Sequence, residues 1–332
     1  MRHRFVGRSH ALARSVLAVC LAAVPLASQT VPQGDDTTGV RPTGMPMRTA
    51  WGDPDLQGVW SYASLTPLQR PSELADKKFY TQEEAAARNA AVTVDRSPEA
   101  GSVGTYNALW FDRGRVDPGL RTSLIVDPAN GRLPPLTPEG QAWVAERAER
   151  RRDHPADSWL DRSAWDRCIT YHGVPPVSTG YNNTYQILQT PDTVAILVEN
   201  IHDVRIIPLD GRPRLEARIR QWNGDSRGHW EGSTLVVETS NYSDKTEHRF
   251  PSSRNTRAVE RFTRVEENSI HYEFTIEDPT VYTAPWTAVR PMPRLHDYQI
   301  YEYACHEGNY AMTNILRGAR AQERAAEDAA KP

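Results

Sequence analysis

Glu199, His202, Asp203, Arg205, Arg220, Trp222, Asp225, Arg227, His229 and Glu231 crowd into one stretch flanked by strongly β-forming runs. These are residue types that move protons. Histidine exchanges a proton near neutral pH, a neighbouring carboxylate can share it, and arginine can hold a carboxylate or a developing oxyanion. His202, His229 and His306, with Glu199, Asp203 and Glu231, are therefore the expected acid–base residues. Arg205, Arg220, Trp222, Tyr185, Tyr272 and Tyr303 are the expected substrate-binding residues, with Trp230 and Tyr301 adding apolar wall. The pocket is expected where a Glu199–Arg205 hairpin, the segment Arg220–Glu231 and a Cys305–Glu307 turn meet.

This constellation implies an enzyme acting on a small or medium-sized organic molecule by lyase, isomerase or hydrolase chemistry. A non-catalytic ligand carrier needs the same pocket without a proton-active pair. An interaction protein of the envelope would instead present a flat apolar patch. Each residue taken alone also has a plainer role, the aromatics as core and the charges at strand ends. Glu199 opposite Arg205, for example, makes a cross-strand ion pair of about 0.2–1 kcal/mol. The case for a site is the joint concentration.

Familiar machinery is missing from the sequence: no Gly-x-Ser-x-Gly elbow, phosphate-binding Gly-rich loop, His-Glu-x-x-His or Cys-x-x-Cys occurs. Ser226 near His229 lacks a strand–helix elbow, and Cys305 beside His306 is a thiol nucleophile only if it is not oxidised. The acid–base reading needs no cofactor. Its alternative is a zinc or iron centre of two histidines and one carboxylate, drawn from His172, His202, His229 and His306 with Glu199, Asp203, Glu231 and Glu307.

Residues 1–28 read as a signal peptide, with Arg2, Arg4, Arg8 and Arg14 ahead of an apolar run, Ser15 to Ala27, too short to span a bilayer. Cleavage is expected near Ser28, in preference to lipidation at Cys20, and the mature protein is expected in the periplasm or outside the cell. The segment carries four arginines and no acid, so its removal leaves 35 basic against 42 acidic residues and moves the formal net charge from −3 to −7. No basic stripe points to nucleic acid, and no later run is long enough for a membrane span. The expected partner is a small molecule; the sequence specifies no oligomeric state. Cys168 and Cys305 remain as an even pair and are expected to form a disulfide in an oxidising compartment, with two buried thiols as the alternative.

The elements that must position these residues are mainly β. Residues 29–52 read as a flexible leader, 53–318 as a single β-rich domain whose N-terminal half carries helices, and 319–332 as a polar tail. Asp55 to Trp60 is an expected first strand. Thr81-Gln82-Glu83-Glu84 is a capping box opening a helix, and Thr137-Pro138 starts a second. Thr122 to Asp127 is a strand ending at a Pro128–Gly131 turn. Hairpins follow: Tyr185 to Gln189, Val194 to Glu199 and Val204 to Leu209; His229 to Glu231 turning at Gly232-Ser233 into Thr234 to Thr239; Val259 to Val265 turning into Ile270 to Glu277; and a last strand, Gln299 to Ala304. Residues 185–304 are thus expected to form one antiparallel meander, closed as a lipocalin-like barrel or folded as a sandwich, with the helices outside it.

The strings Gly131-Arg132-Leu133-Pro134-Pro135-Leu136-Thr137-Pro138, Tyr185-Gln186-Ile187-Leu188-Gln189-Thr190-Pro191, Trp230-Glu231-Gly232-Ser233-Thr234-Leu235-Val236-Val237, Glu277-Asp278-Pro279 with Pro285-Trp286, and Cys305-His306-Glu307-Gly308-Asn309 resemble the hallmarks of a large group of exported bacterial β-rich proteins. The resemblance spans most of the mature chain. It implies export and a β-rich fold, and brings no assigned reaction or catalytic residues. Gly58-Val59-Trp60 also resembles the Gly-x-Trp that opens lipocalin-like barrels.

Overall fold

The structure, a computed structural model, describes residues 47–74, 76–93, 111–171, 174–201 and 203–331, all within a unit spanning 40–332. The expected signal peptide, most of the expected leader, His172 and His202 lie outside the described residues.

Among the described residues ten strands and three α-helices follow one another: β1 Gly58–Ser61, α1 Gln82–Thr93, β2 Ile125–Asp127, α2 Pro138–Asp153, β3 Thr184–Gln189, β4 Thr193–Val198, β5 Val204–Pro208, β6 Asp225–Glu231, β7 Thr234–Ser240, β8 Arg257–Glu266, β9 Ser269–Glu277, β10 Trp286–Pro293 and α3 Ala311–Ala329. The protein is mainly β. Its ladders are antiparallel and form two sheets, β1-β3-β4-β5 and β2-β10-β9-β8-β7-β6. Among the described residues no ladder closes them into a barrel; two packed sheets fit a sandwich. No described helix is long and apolar enough to cross a membrane.

The expected single system over 185–304 is thus divided between β5 and β6. From Asp210 to Gly224 the chain carries Gly211, Pro213 and Gly224 and makes no strand, so it leaves one sheet before joining the other. The short-range signals work as expected. Thr137 Oγ1 accepts from the Gly140 N–H at 2.9 Å, and the Thr81 and Glu84 side chains each accept from the other's backbone N–H. Gly232, at φ +61°, turns β6 into β7 with Glu231 opposite Thr234. The 122–127 strand shortens to β2, because the Thr122 hydroxyl instead donates to Lys77 O at 2.6 Å.

One expected strand is absent, and one strand was not anticipated. Gln299–Ala304 forms no ladder: Tyr301 is 72% exposed, so the alternation of tyrosines marks a surface segment rather than a half-buried strand. Trp286–Pro293 is a strand despite Pro291 and Pro293. Val289 N–H donates to Leu124 O and Leu295 N–H to Val59 O, so the N–H groups that the two prolines lack fall on the side away from β9, past the end of the short β2 ladder, where β1 meets β10 at the Trp60–Arg294 bridge.

The core lies between the sheets. Period-2 pleating sends Ala258, Phe262, Ile270, Tyr272, Phe274 and Ile276 of β8 and β9 inward, against Trp60, Tyr185, Ile187, Val194, Ile196 and Ile207 of the smaller sheet. The disulfide forms between Cys168 and Cys305, whose Cα atoms are 5.8 Å apart. It ties the segment after β10 to the loop ahead of β3, and α3 then runs without a break through Gly318, packing Arg320 onto Asp157 O at 2.9 Å.

Candidate functional site

The expected hairpin does not pair Glu199 with Arg205. Arg205 stands opposite Ile196, a buried position of β4, so its side chain points between the sheets. There its two Nη groups donate to Glu260 at 2.6 and 3.1 Å, and one also reaches Ser226 and Thr239, each at 3.3 Å. Tyr272 donates to the same carboxylate at 2.8 Å. Burial works against the charge on Arg205, and adjacent Glu260 more than reverses it, holding the guanidinium protonated. Tyr272 and Tyr185 are core residues whose phenols burial pushes far up, so neither reaches a substrate.

Glu199, one residue beyond β4, is instead at the floor of a cleft of 880 Å³. It is only 2% exposed; Tyr298 donates its hydroxyl to Oε1, and Oε2 has no hydrogen-bond partner among the described residues. Burial and the bond to Glu199 raise the Tyr298 phenol, which therefore stays protonated as donor. Phe111, Trp165, Tyr181, Tyr301 and Tyr303 supply aromatic wall, and Asp112, Asp166, Glu302 and Glu307 add carboxylates. Asp112 is exposed at the mouth, yet the protein packed around it and the charge on Glu199 still push its carboxyl upward. Cys305, and through it the disulfide, fixes the part of the wall that follows β10.

Of the expected site, the cleft therefore gathers Glu199 and Tyr303, along with Tyr301 and, from the expected Cys305–Glu307 turn, Cys305 and Glu307. His306 borders a separate 330 Å³ pocket on the other side of the disulfide, which shares Asp166 and Asn309 with the cleft. His229 and Glu231 lie on the exposed end of the β6–β7 hairpin, 3.1 Å apart, with Glu231 also bound to Arg261 at 2.7 Å. That is a surface ion cluster, on a pleat face the core does not use. Asp203 accepts from Thr170 at 2.6 Å; Arg220 donates to the backbone of Tyr242 and Arg254; Trp222 lies under the Arg167 guanidinium at 5.7 Å. None of these three borders the cleft. Among the described residues no three His, Cys, Asp or Glu side chains come together as a metal-binding group, and His172 and His202 are outside that set.

Sequence reading missed Asp112, Trp165 and Tyr298, which come from loops with no periodicity and no spacing motif. The one local signal was the aromatic and acidic run Asp297-Tyr298 through Tyr301-Glu302-Tyr303, of which the part from Gln299 on read as a strand. Compared with known protein families, curated proteins and solved structures, the chain matches none.

Proposed function

We propose that the chain is an exported enzyme that binds a small organic molecule in the 880 Å³ cleft and moves a proton to or from it through carboxylates rather than histidines. The observation that supports this most is Glu199: buried, tied at one oxygen to Tyr298, and without a hydrogen-bond partner at the other among the described residues. A buried carboxylate left half-satisfied costs stability, and such groups are retained mainly where they act on something. Glu199 is the base, Tyr298 orients it, and Asp112, held toward its protonated form, is the acid. Export belongs to the same reading: the Cys168–Cys305 disulfide suits an oxidising compartment, and residues 1–28 have the composition of a signal peptide. The resemblance to exported bacterial proteins agrees with it.

The test is a screen of small organic molecules for binding and for product by mass spectrometry. For a converted compound, Glu199→Gln is expected to lose about 10²–10⁴-fold in turnover. Wild-type turnover by Glu199→Gln, Asp112→Asn and Tyr298→Phe would refute the assignment. Histidines stand outside the cleft among the described residues, which favours a carrier as the second reading; tight binding without turnover of any ligand would select it.

A further inference from the structure

We infer that the cleft takes an organic cation: an ammonium or similar positive group carried on an apolar body, with the charge drawn to Glu199 and the body against the tyrosines and Trp165. The inference rests on the cleft being the ligand site and adds the class of ligand.

Three observations carry it. The described wall holds five carboxylates and no lysine, arginine or histidine. Arg162 pairs with Asp166 at 2.9 Å, but no ion pair among the described residues reaches Asp112, Glu199, Glu302 or Glu307. Beside them stand exposed aromatics, Trp165 at 38%, Tyr298 at 39% and Tyr301 at 72%, whose faces attract a cation; Arg113, which does not itself line the cleft, already lies 4.3 Å over the ring of Phe111. Finally, Glu199, at 2% exposure, keeps Oε2 without a hydrogen-bond partner among the described residues. An anionic ligand would meet like charge and find no cation in the described wall, and a neutral one would leave the negative charge of that wall unbalanced. A cation both completes the buried carboxylate and stacks on the rings. With 880 Å³ available, the cleft accommodates a drug-sized molecule.

The test titrates the full, disulfide-bonded chain with benzyltrimethylammonium, its uncharged isostere neopentylbenzene and the anion phenylacetate, following tryptophan fluorescence and calorimetry. The cation is expected to bind at least tenfold more tightly than the isostere, a difference of about 1.4 kcal/mol, and phenylacetate more weakly than either. Glu199→Gln is expected to cut the cation's affinity at least tenfold and leave the isostere's unchanged. Asp112→Asn, at the exposed mouth, gives a second variant with little risk to folding and a several-fold loss. The wild-type ratio itself needs no variant.

Equal binding of cation and isostere, or preference for phenylacetate, overturns the inference while leaving a small-molecule cleft in place. Failure of all three probes to bind overturns the inference and removes the cleft reading with it. Cation preference with unaltered turnover in Glu199→Gln would keep the inference and reject Glu199 as the base.

Discussion

Glu260 and Glu199 are both shielded from bulk water, at 0% and 2% exposure, but they are met differently. Glu260, between the sheets, receives two guanidinium N–H groups and a phenol; Glu199, at the floor of the cleft, receives one phenol. In the first place the charge is cancelled within the protein, and ladder geometry imposes the partner. In the second, one carboxylate oxygen is left without a partner among the described residues. Burial alone does not distinguish the two carboxylates; the partner count does.

Breaking the cancelled pair should have the largest effect. Glu260→Ala leaves Arg205 buried without its counter-charge and is expected to cost about 3–5 kcal/mol of unfolding free energy by urea titration, whereas the double change Arg205→Met with Glu260→Leu should recover most of the loss. If Glu260→Ala costs less than about 1 kcal/mol, the inter-sheet pair is not sealed from water and the contrast with Glu199 fails.

Protonation extends the comparison to Arg290, another buried arginine, which donates to Tyr62 O at 2.7 Å and lies near Asp117. Burial pushes the Asp117 carboxyl up to about 6, against the hydrogen bond from Ser64 and the attraction of Arg290. With an unfolded value of about 3.9, Asp117 adds stability that is full below pH ~4 and lost as pH rises through ~6. His248 does the reverse: burial pulls its imidazole down to about 4, so its contribution is full above ~6.5 and lost as pH falls through ~4. The two offset each other across that window by roughly 2–3 kcal/mol each. On acidification from pH 6.5 to 4, Asp117→Asn should lose stability more steeply than wild type and His248→Gln less steeply. Parallel curves for all three would show that neither group is titrating as its surroundings demand.

The smallest effects should come from the cleft and the surface. Glu199→Gln, which removes an uncompensated charge and keeps the contact with Tyr298, should leave stability unchanged or raise it by up to about 1 kcal/mol. His229→Ala, on the exposed hairpin end, should stay within about 0.5 kcal/mol. A loss of more than about 2 kcal/mol in Glu199→Gln would place Glu199 with Glu260 as a structural carboxylate.

Local features of the fold could be read from the sequence. The Gly232-Ser233 turn fixed the Trp230–Leu235 register, two helix caps followed from Thr81 and Thr137, and the β8–β9 hairpin from its alternation. What failed was decided at a distance. Arg205 has a near carboxylate in sequence at Glu199, but pleat parity turns it to Glu260, 55 residues on. Tyr298 and Asp112 meet at the cleft only because the disulfide and two loops bring them there, and no periodicity encodes that. The expected site drew His202, His229 and His306 from three segments: the outer face of the β6–β7 hairpin carries His229 into solvent, His306 borders a separate pocket, and His202 lies outside the described residues.

The prolines of β10 also bear on how copies of the chain behave toward one another. A sheet margin with free N–H groups invites a second chain to dock strand to strand, and growth of fibres begins in that way. Between its bonds to Leu124 and Val59, β10 carries at that margin Pro291 and Pro293, which have nothing to donate, and the bridge from Arg294 to Trp60 of β1 occupies its far end. The two prolines thus withhold donors from a second chain at the place where the β2 ladder ends.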